Sequence, residues 1–197
     1  MNVPYRQIRA VHTEESITVY QAYDAAIAAP AVAAQRFVPP FKRERMTWIK
    51  PSFLWMMYRC GYATKPGQER VLAVEITREG FDWALRHACL SHDDGVPGWA
   101  ERLRTSPVRV QWDPERDPHH NPLPHRSIQI GLSREAVRHY ADTWILSITD
   151  LTGRVHELRA ALRAGKDITP SLPLERPYPV PAGAAPLIGA TPPEVPL

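Results

Sequence analysis

The sequence predicts a single-domain α+β fold with a mixed, mostly antiparallel sheet, packed helices and a proline-rich C-terminal arm. Strand-like runs are interspersed with helix-like runs, but not in the regular βαβ order of a doubly wound sheet. The 197 residues suit one domain with a sizeable core. Nine of the 21 prolines lie in the last 32 residues, after Gly165, which disfavours helices and central strands in that part of the chain.

The individual elements follow from apolar periodicity and from the positions of glycine and proline. Strands are predicted at 6–11, 16–22, 45–49, 70–76, 107–112 and 126–132. Helices are predicted at 23–35 with a kink at Pro30, at 51–60 with Pro51 in the first helical position, at 79–90, from Ser133 to about Leu146, and from near Asp150 to Gly165. The loop at 113–125 contains repeated prolines, so no regular structure is predicted there.

The proline distribution also predicts the domain boundary. We expect residues 1–181 to form the folded domain and residues 182–197 to form a mobile proline-rich tail. Within the arm at 171–181, Leu172, Leu174 and Tyr178 are the side chains expected to pack on the domain.

Composition excludes several classes of protein. No apolar run approaches the roughly 20 residues of a transmembrane helix, and the N-terminus lacks the apolar core of a signal peptide. A cytoplasmic protein with no membrane partner is therefore expected. Cys60 and Cys89 are too few for a disulfide framework and are expected to be reduced. The net charge of +3 permits an anionic partner without indicating a dedicated nucleic-acid-binding domain.

The segment at 37–62 combines cationic and aromatic residues more densely than any other part of the sequence. In its predicted strand, Arg45 and Thr47 share one face, whereas Trp48 and Lys50 share the other. Lys50 and Ser52 stand at the predicted start of the following helix, where unpaired backbone N–H groups and the helix dipole favour an anion.

These positions predict an anion-binding site at the junction of strand and helix. Lys50, Ser52 and Arg45 are expected to hold a phosphate or pyrophosphate, and Trp48 or Tyr58 to stack on a ring of the ligand. The competing interpretation is a solvated basic turn beside core aromatics.

Other polar residues interrupt predicted strands. Arg9 needs either a carboxylate of the fold or an anionic ligand. Tyr20, Gln21 and Tyr23 are candidates for a wall of the same cleft. Glu75 is expected either to pair with Arg9 or to act as a general base. Gln129 is a candidate for a cross-strand amide or for a contact to a ribose hydroxyl.

No metal site is expected. His119, His120 and His125 lie in the proline-rich loop, which offers neither helix-borne ligand spacing nor a rigid platform. The motifs of serine hydrolases, P-loop NTPases and Rossmann dehydrogenases are also absent from the sequence.

Several runs resemble the domain of unknown function 4291 family (DUF4291), across nearly the whole chain. They are IRA (8–10), VYQAY (19–23), FKRERMTWIKPSFLWMMYRCGY (41–62), VQWDPERD (110–117), RSIQIGL (126–132) and LERPYPVP (174–181). The resemblance implies that the LERPYPVP arm is part of the folded unit, and it implies no activity.

The leading functional hypothesis is a protein that binds a nucleotide-like anionic ligand. By analogy with ADP-ribosyltransferase-like folds, it extends to an enzyme that uses NAD, with Arg9, a hydroxyl of Thr47 or Ser52, and Gln129 or Glu75 as its site. The alternative is a non-catalytic module that binds a nucleotide or nucleic acid through the same basic and aromatic surface.

Overall fold

The computed structural model describes residues 3–93 and 95–191 and shows the predicted α+β fold as one domain. In those ranges the strands are β1 (Arg9–Ala10), β2 (Ser16–Tyr23), β3 (Thr47–Ile49), β4 (Arg70–Thr77), β5 (Ala88–Leu90), β6 (Val108–Arg116), β7 (Pro122–Leu132), β8 (Ile145–Asp150) and β9 (Arg176–Pro177). The helices are α1 (Ala25–Ala34), α2 (Phe53–Cys60), α3 (Arg78–Arg86), α4 (Trp99–Thr105), α5 (Arg134–His139), α6 (Thr152–Arg163) and α7 (Ala184–Ile188).

The described strands form three sheets. One has the order β2-β4-β8, a second has the order β3-β7-β6-β5, and β1 pairs with β9. Every pair is antiparallel except β5 with β6. The prediction of a mixed, mostly antiparallel arrangement is therefore confirmed.

The apolar side chains divide into two buried clusters. The larger one joins the two main sheets, with Val19 and Val74 from one and Ile130 from the other. The smaller one surrounds α2, where Phe53 and Met57 pack against residues of β2 and α6. Burial on nearly all sides explains why α2 is apolar around most of its circumference.

Two predicted helices are too long. The helix predicted to reach Leu146 ends at His139, and a π-helical turn at Tyr140–Trp144 leads into β8. This strand was missed because its apolar spacing also fits a helix, whereas its pairing with β4 decides the structure. In the same way, the predicted 79–90 helix ends at Arg86 and β5 follows. The helix α4 was not predicted.

Regular structure also enters the proline-rich loop, contrary to the prediction. The strand β6 continues to Arg116 and β7 begins at Pro122, with an irregular register between Pro114 and Arg116. The parallel neighbour β5 covers β6 only as far as Val110. Beyond that point β6 has a neighbouring strand on one side only in the described sheet. A proline is tolerated at such an edge, because no second strand requires its missing N–H as a hydrogen-bond donor.

The C-terminal arm packs on the domain through two of the three residues expected to do so. Tyr178 is buried and donates a hydrogen bond from its hydroxyl to Asp82 at 2.6 Å. Leu172 is partly buried against the cluster around α2, whereas Leu174 is 80% exposed, so the prediction for Leu174 is wrong. The predicted strand at 6–11 is reduced to β1, which pairs with the arm.

The predicted boundary at residue 181 is wrong. Ala184 and Ile188 of α7 have no exposed surface and belong to the main core. The indole of Trp112 donates to the carbonyl of Ile188 at 2.6 Å, and the Thr191 N–H donates to the carbonyl of Arg6 at 3.0 Å. Residues up to 191 are thus part of the fold, while 192–197 lie outside the described residues.

No helix in the described ranges is long and apolar enough to cross a membrane.

The burial of α7 generates a stability prediction. We expect Ile188→Ala to lower the free energy of unfolding by about 2–5 kcal/mol, because it removes a fully buried side chain and leaves a cavity. Leu187 on the same helix is 43% exposed, so Leu187→Ala is the matched control and should be far less destabilised. Urea denaturation of both variants tests this, and equal, negligible effects would mean that α7 is not anchored in the core.

Candidate anion-binding site

A cavity of about 460 Å³ lies where β2, β3 and α2 meet the segments at 40–46 and 66–68. The charged side chains that line it are Lys42, Arg45, Lys50 and Arg59. None of the described residues in its lining is acidic. Concave walls with charges of one sign concentrate the electrostatic potential, so the potential inside this cavity is positive.

Lys50 is the most buried of these cations, with 7% of its surface exposed. Its carbonyl accepts a hydrogen bond from the Tyr20 N–H at 2.7 Å, which fixes the backbone at the end of β3. Its Nζ donates to the Trp48 carbonyl at 3.0 Å and lies 5.9 Å from the centre of the Trp55 ring. No ion pair joins Lys50 to a carboxylate of the described chain.

This environment lowers the pKa of Lys50 from 10.5 to about 7. Burial of the ammonium is the main cause, and repulsion from Arg59 adds to it, while the charge of Asp113 partly opposes the shift. Near neutral pH the side chain therefore exchanges between ammonium and amine. An anion placed in the cavity would favour the ammonium.

A network of hydrogen bonds centred on Gln21 forms the floor of the cavity. Its amide nitrogen donates to the hydroxyls of Thr47 and Tyr23, each at 2.8 Å, and its amide oxygen accepts from the Tyr140 hydroxyl at 2.6 Å. Gln21 and Thr47 are both buried. The Thr47 hydroxyl, a predicted catalytic group, is thus engaged in holding the floor together.

Trp48 and Met46 form one wall of the cavity. Both pack directly on Gly131 of β7, where a Cβ atom would lie 2.7 Å from Met46 Sδ and 2.9 Å from Trp48 Cζ2. The half-buried Trp48 ring is therefore the aromatic surface in the lining that the sequence predicted. Tyr58, the other stacking candidate, lies outside the lining and contacts Arg116, whose guanidinium is 3.9 Å from its ring centre.

At the start of α2, two of the N–H groups already have acceptors within the fold. Ser52, rather than Pro51, precedes the first helical residue, and its hydroxyl accepts from the Trp55 N–H at 3.1 Å. The Phe53 N–H donates to the Glu175 carboxylate at 2.7 Å. A carboxyl oxygen from the C-terminal arm therefore takes the place that was predicted for a phosphate, and Ser52 does not line the cavity.

Glu175 is an unusual carboxyl group, since its pKa rises to about 8. Burial is the main cause, and the charge of Glu115 also raises it, whereas the Phe53 N–H and the charge of Arg9 lower it. The guanidinium of Arg9 donates to the Glu175 carbonyl at 2.9 Å and to the Gln7 side chain at 3.2 Å. The carboxylate considered as a partner for Arg9 is thus replaced, in these hydrogen bonds, by a backbone carbonyl and a side-chain amide oxygen.

The remaining predicted residues lie elsewhere. Tyr20 points away from the cavity and meets Phe53 edge-on at 5.4 Å. Glu75 accepts from the hydroxyls of Ser16 and Ser147 at 2.6 and 3.2 Å, so its predicted pairing with Arg9 is wrong. Gln129 donates to Asp113 on the neighbouring strand at 2.7 Å, which agrees with the cross-strand amide considered for it.

The structure thus brings Gln21, Arg45, Thr47, Trp48 and Lys50 together in one cavity. Arg9, Ser52, Glu75 and Gln129 do not line it, so Thr47 is the one residue assigned to an ADP-ribosyltransferase-like site that lies in this pocket.

Among the described histidines, His120 stacks on Tyr62 with ring centres 5.2 Å apart. The part of the chain that the structure describes contains no group of three or more His, Cys, Asp or Glu side chains that could hold a metal ion.

Sequence reasoning missed several residues that matter. Lys42 and Arg59 line the cavity and belong to the basic segment, but they were not assigned to the site. Tyr23, which was considered with Gln21 for a wall of the cleft, does line the cavity, at the two-residue spacing that places both on one strand face. Glu175 carried no local signal, since its partner Phe53 is 122 positions away.

The family model of the domain of unknown function DUF4291 matches residues 7–178. The chain belongs to the DUF4291 family. The matched region contains every residue that lines the cavity as well as Glu175, whereas α7 lies beyond it. A search of curated proteins found no match to this DUF4291 chain.

The lowered pKa of Lys50 makes stability depend on pH. Between about 7 and 10.5 the unfolded chain holds a proton at Lys50 that the folded chain has released, so this residue makes stability rise with pH across that window. We expect Lys50→Met to lack this rise and to gain stability relative to the wild type at the lower pH. Urea denaturation at about pH 6.5 and pH 9.5 measures both effects.

The exposed Lys166 supplies the control, because Lys166→Met removes the same charge without burial. If Lys50→Met and Lys166→Met have the same pH dependence, the ammonium of Lys50 is not desolvated in the folded protein.

The raised pKa of Glu175 works in the opposite direction. Between 4.5 and about 8 the folded chain holds a proton at Glu175 that the unfolded chain has released, so stability falls as pH rises through this window. Glu175→Gln should abolish that fall while its amide oxygen still accepts from the Phe53 N–H. Glu175→Ala removes the acceptor and should be less stable than the Gln variant by about 1–3 kcal/mol. Equal stability of the two variants would contradict a role for this hydrogen bond.

Proposed function

We propose that the cavity binds a phosphate-bearing, nucleotide-like ligand. The observation that carries the proposal is Lys50, a buried ammonium that has no carboxylate partner in the described chain and lines a cavity with Lys42, Arg45 and Arg59.

The energetic argument starts from the cost of burying a charge. Buried charges are normally paired, because an uncompensated ion in the protein interior loses its hydration. Lys50 meets only a carbonyl at hydrogen-bond distance, which leaves part of its donor capacity unused. A phosphate oxygen would supply the missing acceptor, and a hydrogen bond between charged groups contributes roughly 1.5–3 kcal/mol.

The uncharged lining favours a ligand that also carries a ring. Trp48 provides a half-buried aromatic surface, and Ile27, Phe41 and Met56 provide apolar contacts. Gln21 and Tyr23 add polar groups at the floor. The volume of about 460 Å³ lies within the range of roughly 300–1,000 Å³ that is typical of small-molecule sites. This combination suits a nucleotide better than an inorganic anion.

The proposal concerns binding and does not extend to a reaction. A transferase would need a carboxylate or amide directed at the same ligand, but Glu75 and Gln129 are bound to other groups of the fold. NAD and ADP-ribose remain suitable test ligands, because both carry a pyrophosphate and aromatic rings.

We therefore expect a thermal-shift screen against ATP, GTP, NAD, ADP-ribose and short RNA to identify at least one stabilising ligand. A ligand at a hundred times its dissociation constant stabilises the folded state by about 2.7 kcal/mol. Lys50→Met should lower the affinity for that ligand about tenfold or more, as measured by titration calorimetry. The difference in affinity should shrink as the salt concentration rises.

Protonation of Lys50 gives the test a second readout. Affinity should fall as pH rises above about 7, because the unliganded amine must take up a proton to bind the anion. The Lys50→Met variant should lack this pH dependence, and Lys166→Met should retain it. A ligand that binds both Lys variants as well as the wild type would overturn the proposal.

A further inference from the structure

A second basic cavity lies beside the first one. It has a volume of about 580 Å³, and its charged lining consists of one carboxylate, Glu44, and five guanidinium groups, those of Arg43, Arg104, Arg109, Arg134 and Arg138.

Two of these five guanidinium groups have no partner in the described chain. Arg43 is paired with Asp142 and Arg104 with Glu101. Arg134 donates to the carbonyls of Arg104 and Thr105, which fixes its position but leaves its charge uncompensated.

The guanidinium groups of Arg109 and Arg138 form no hydrogen bond or ion pair with any described residue. Arg109 is half-buried on the central strand β6, opposite Gly131, so part of its hydration is removed without compensation from the protein.

The two cavities share one wall. Along the segment that precedes β3, Lys42 and Arg45 line the first cavity, Arg43 and Glu44 line the second, and Met46 lines both. Because Gly131 has no side chain, Met46 lies close to the surface of the sheet at this wall. An elongated ligand could therefore cross from one cavity to the other over a single side chain.

We propose that the ligand of the first cavity is part of a single strand of nucleic acid whose backbone continues across Met46 into the second cavity. This inference rests on the proposed function. A mononucleotide fills one cavity and leaves Arg109 and Arg138 unpaired, whereas the next phosphates of a strand would reach them. The accessible ring of Trp48 favours an unpaired strand, because a base must leave a duplex to stack on a side chain.

The test compares ligands of different length in the wild type and in variants of each cavity. Fluorescence anisotropy measures binding of labelled uridine and thymidine oligomers of about 12 nucleotides, which distinguishes RNA from DNA. A competition assay measures the mononucleotides. The variants are Arg109→Ala with Arg138→Ala for the second cavity, Lys50→Met for the first, and Arg163→Ala on the exposed end of α6 as a control.

We expect the double arginine variant to bind the 12-mer with about tenfold or more lower affinity than the wild type. Its affinity for mononucleotides should be unchanged. The dependence of log affinity on log salt should become shallower by about 0.7 for each phosphate that the variant no longer neutralises. Lys50→Met should lower the affinity for ligands of both lengths, and Arg163→Ala should lower neither affinity.

The outcomes separate the two proposals. If the double variant binds the 12-mer like the wild type while Lys50→Met weakens mononucleotides, the strand path is wrong and the nucleotide site stands. If Lys50→Met changes the affinity for neither the 12-mer nor the mononucleotides, the proposed nucleotide site itself is wrong. Tighter binding of an acidic peptide, of inorganic polyphosphate or of a duplex than of the single strands would overturn the assignment to single-stranded nucleic acid.

Discussion

The side chain of Gln21 is the interaction on which the site depends most. It reaches from β2 of one sheet to Thr47 in β3 of the other, and it also accepts from Tyr140 in the π-helical turn. Three parts of the fold that are distant in sequence are thereby fixed around one buried amide. Because an unpaired buried polar group is costly, the network tolerates little displacement of any member. The floor of the cavity is consequently rigid, and the position of Lys50 beside it follows from the same junction of sheets.

The C-terminal arm provides a second constraint. Glu175 binds the first N–H of α2, and the Glu175 carbonyl holds Arg9, so the arm links the start of this helix to the N-terminal strand. The helix in turn contributes Met56 and Arg59 to the cavity. The proline-rich composition keeps the arm extended, and its tyrosine and the following helix α7 anchor it to the core. A segment far from the cavity in sequence thus orients one of its walls.

The fold class and the clustering of residues from the basic aromatic segment were predictable because both depend on local patterns. Alternation along β3 and proximity in sequence are enough to place Arg45, Trp48 and Lys50 near one another. The partner of Phe53 was not predictable, since local rules leave the first N–H of a helix to water or a ligand and cannot foresee a carboxylate from the arm. The strand β8 was missed for a related reason, because only its pairing with β4 distinguishes it from a helix.

Gly131 links the shapes of the two cavities. Any side chain at this position would collide with Met46 and Trp48, the residues that form the wall between the cavities and the aromatic surface of the first. In related chains, a larger residue at position 131 should therefore accompany smaller residues at positions 46 and 48. These three positions are expected to evolve together, and a single replacement of the glycine would alter the width of both cavities at once.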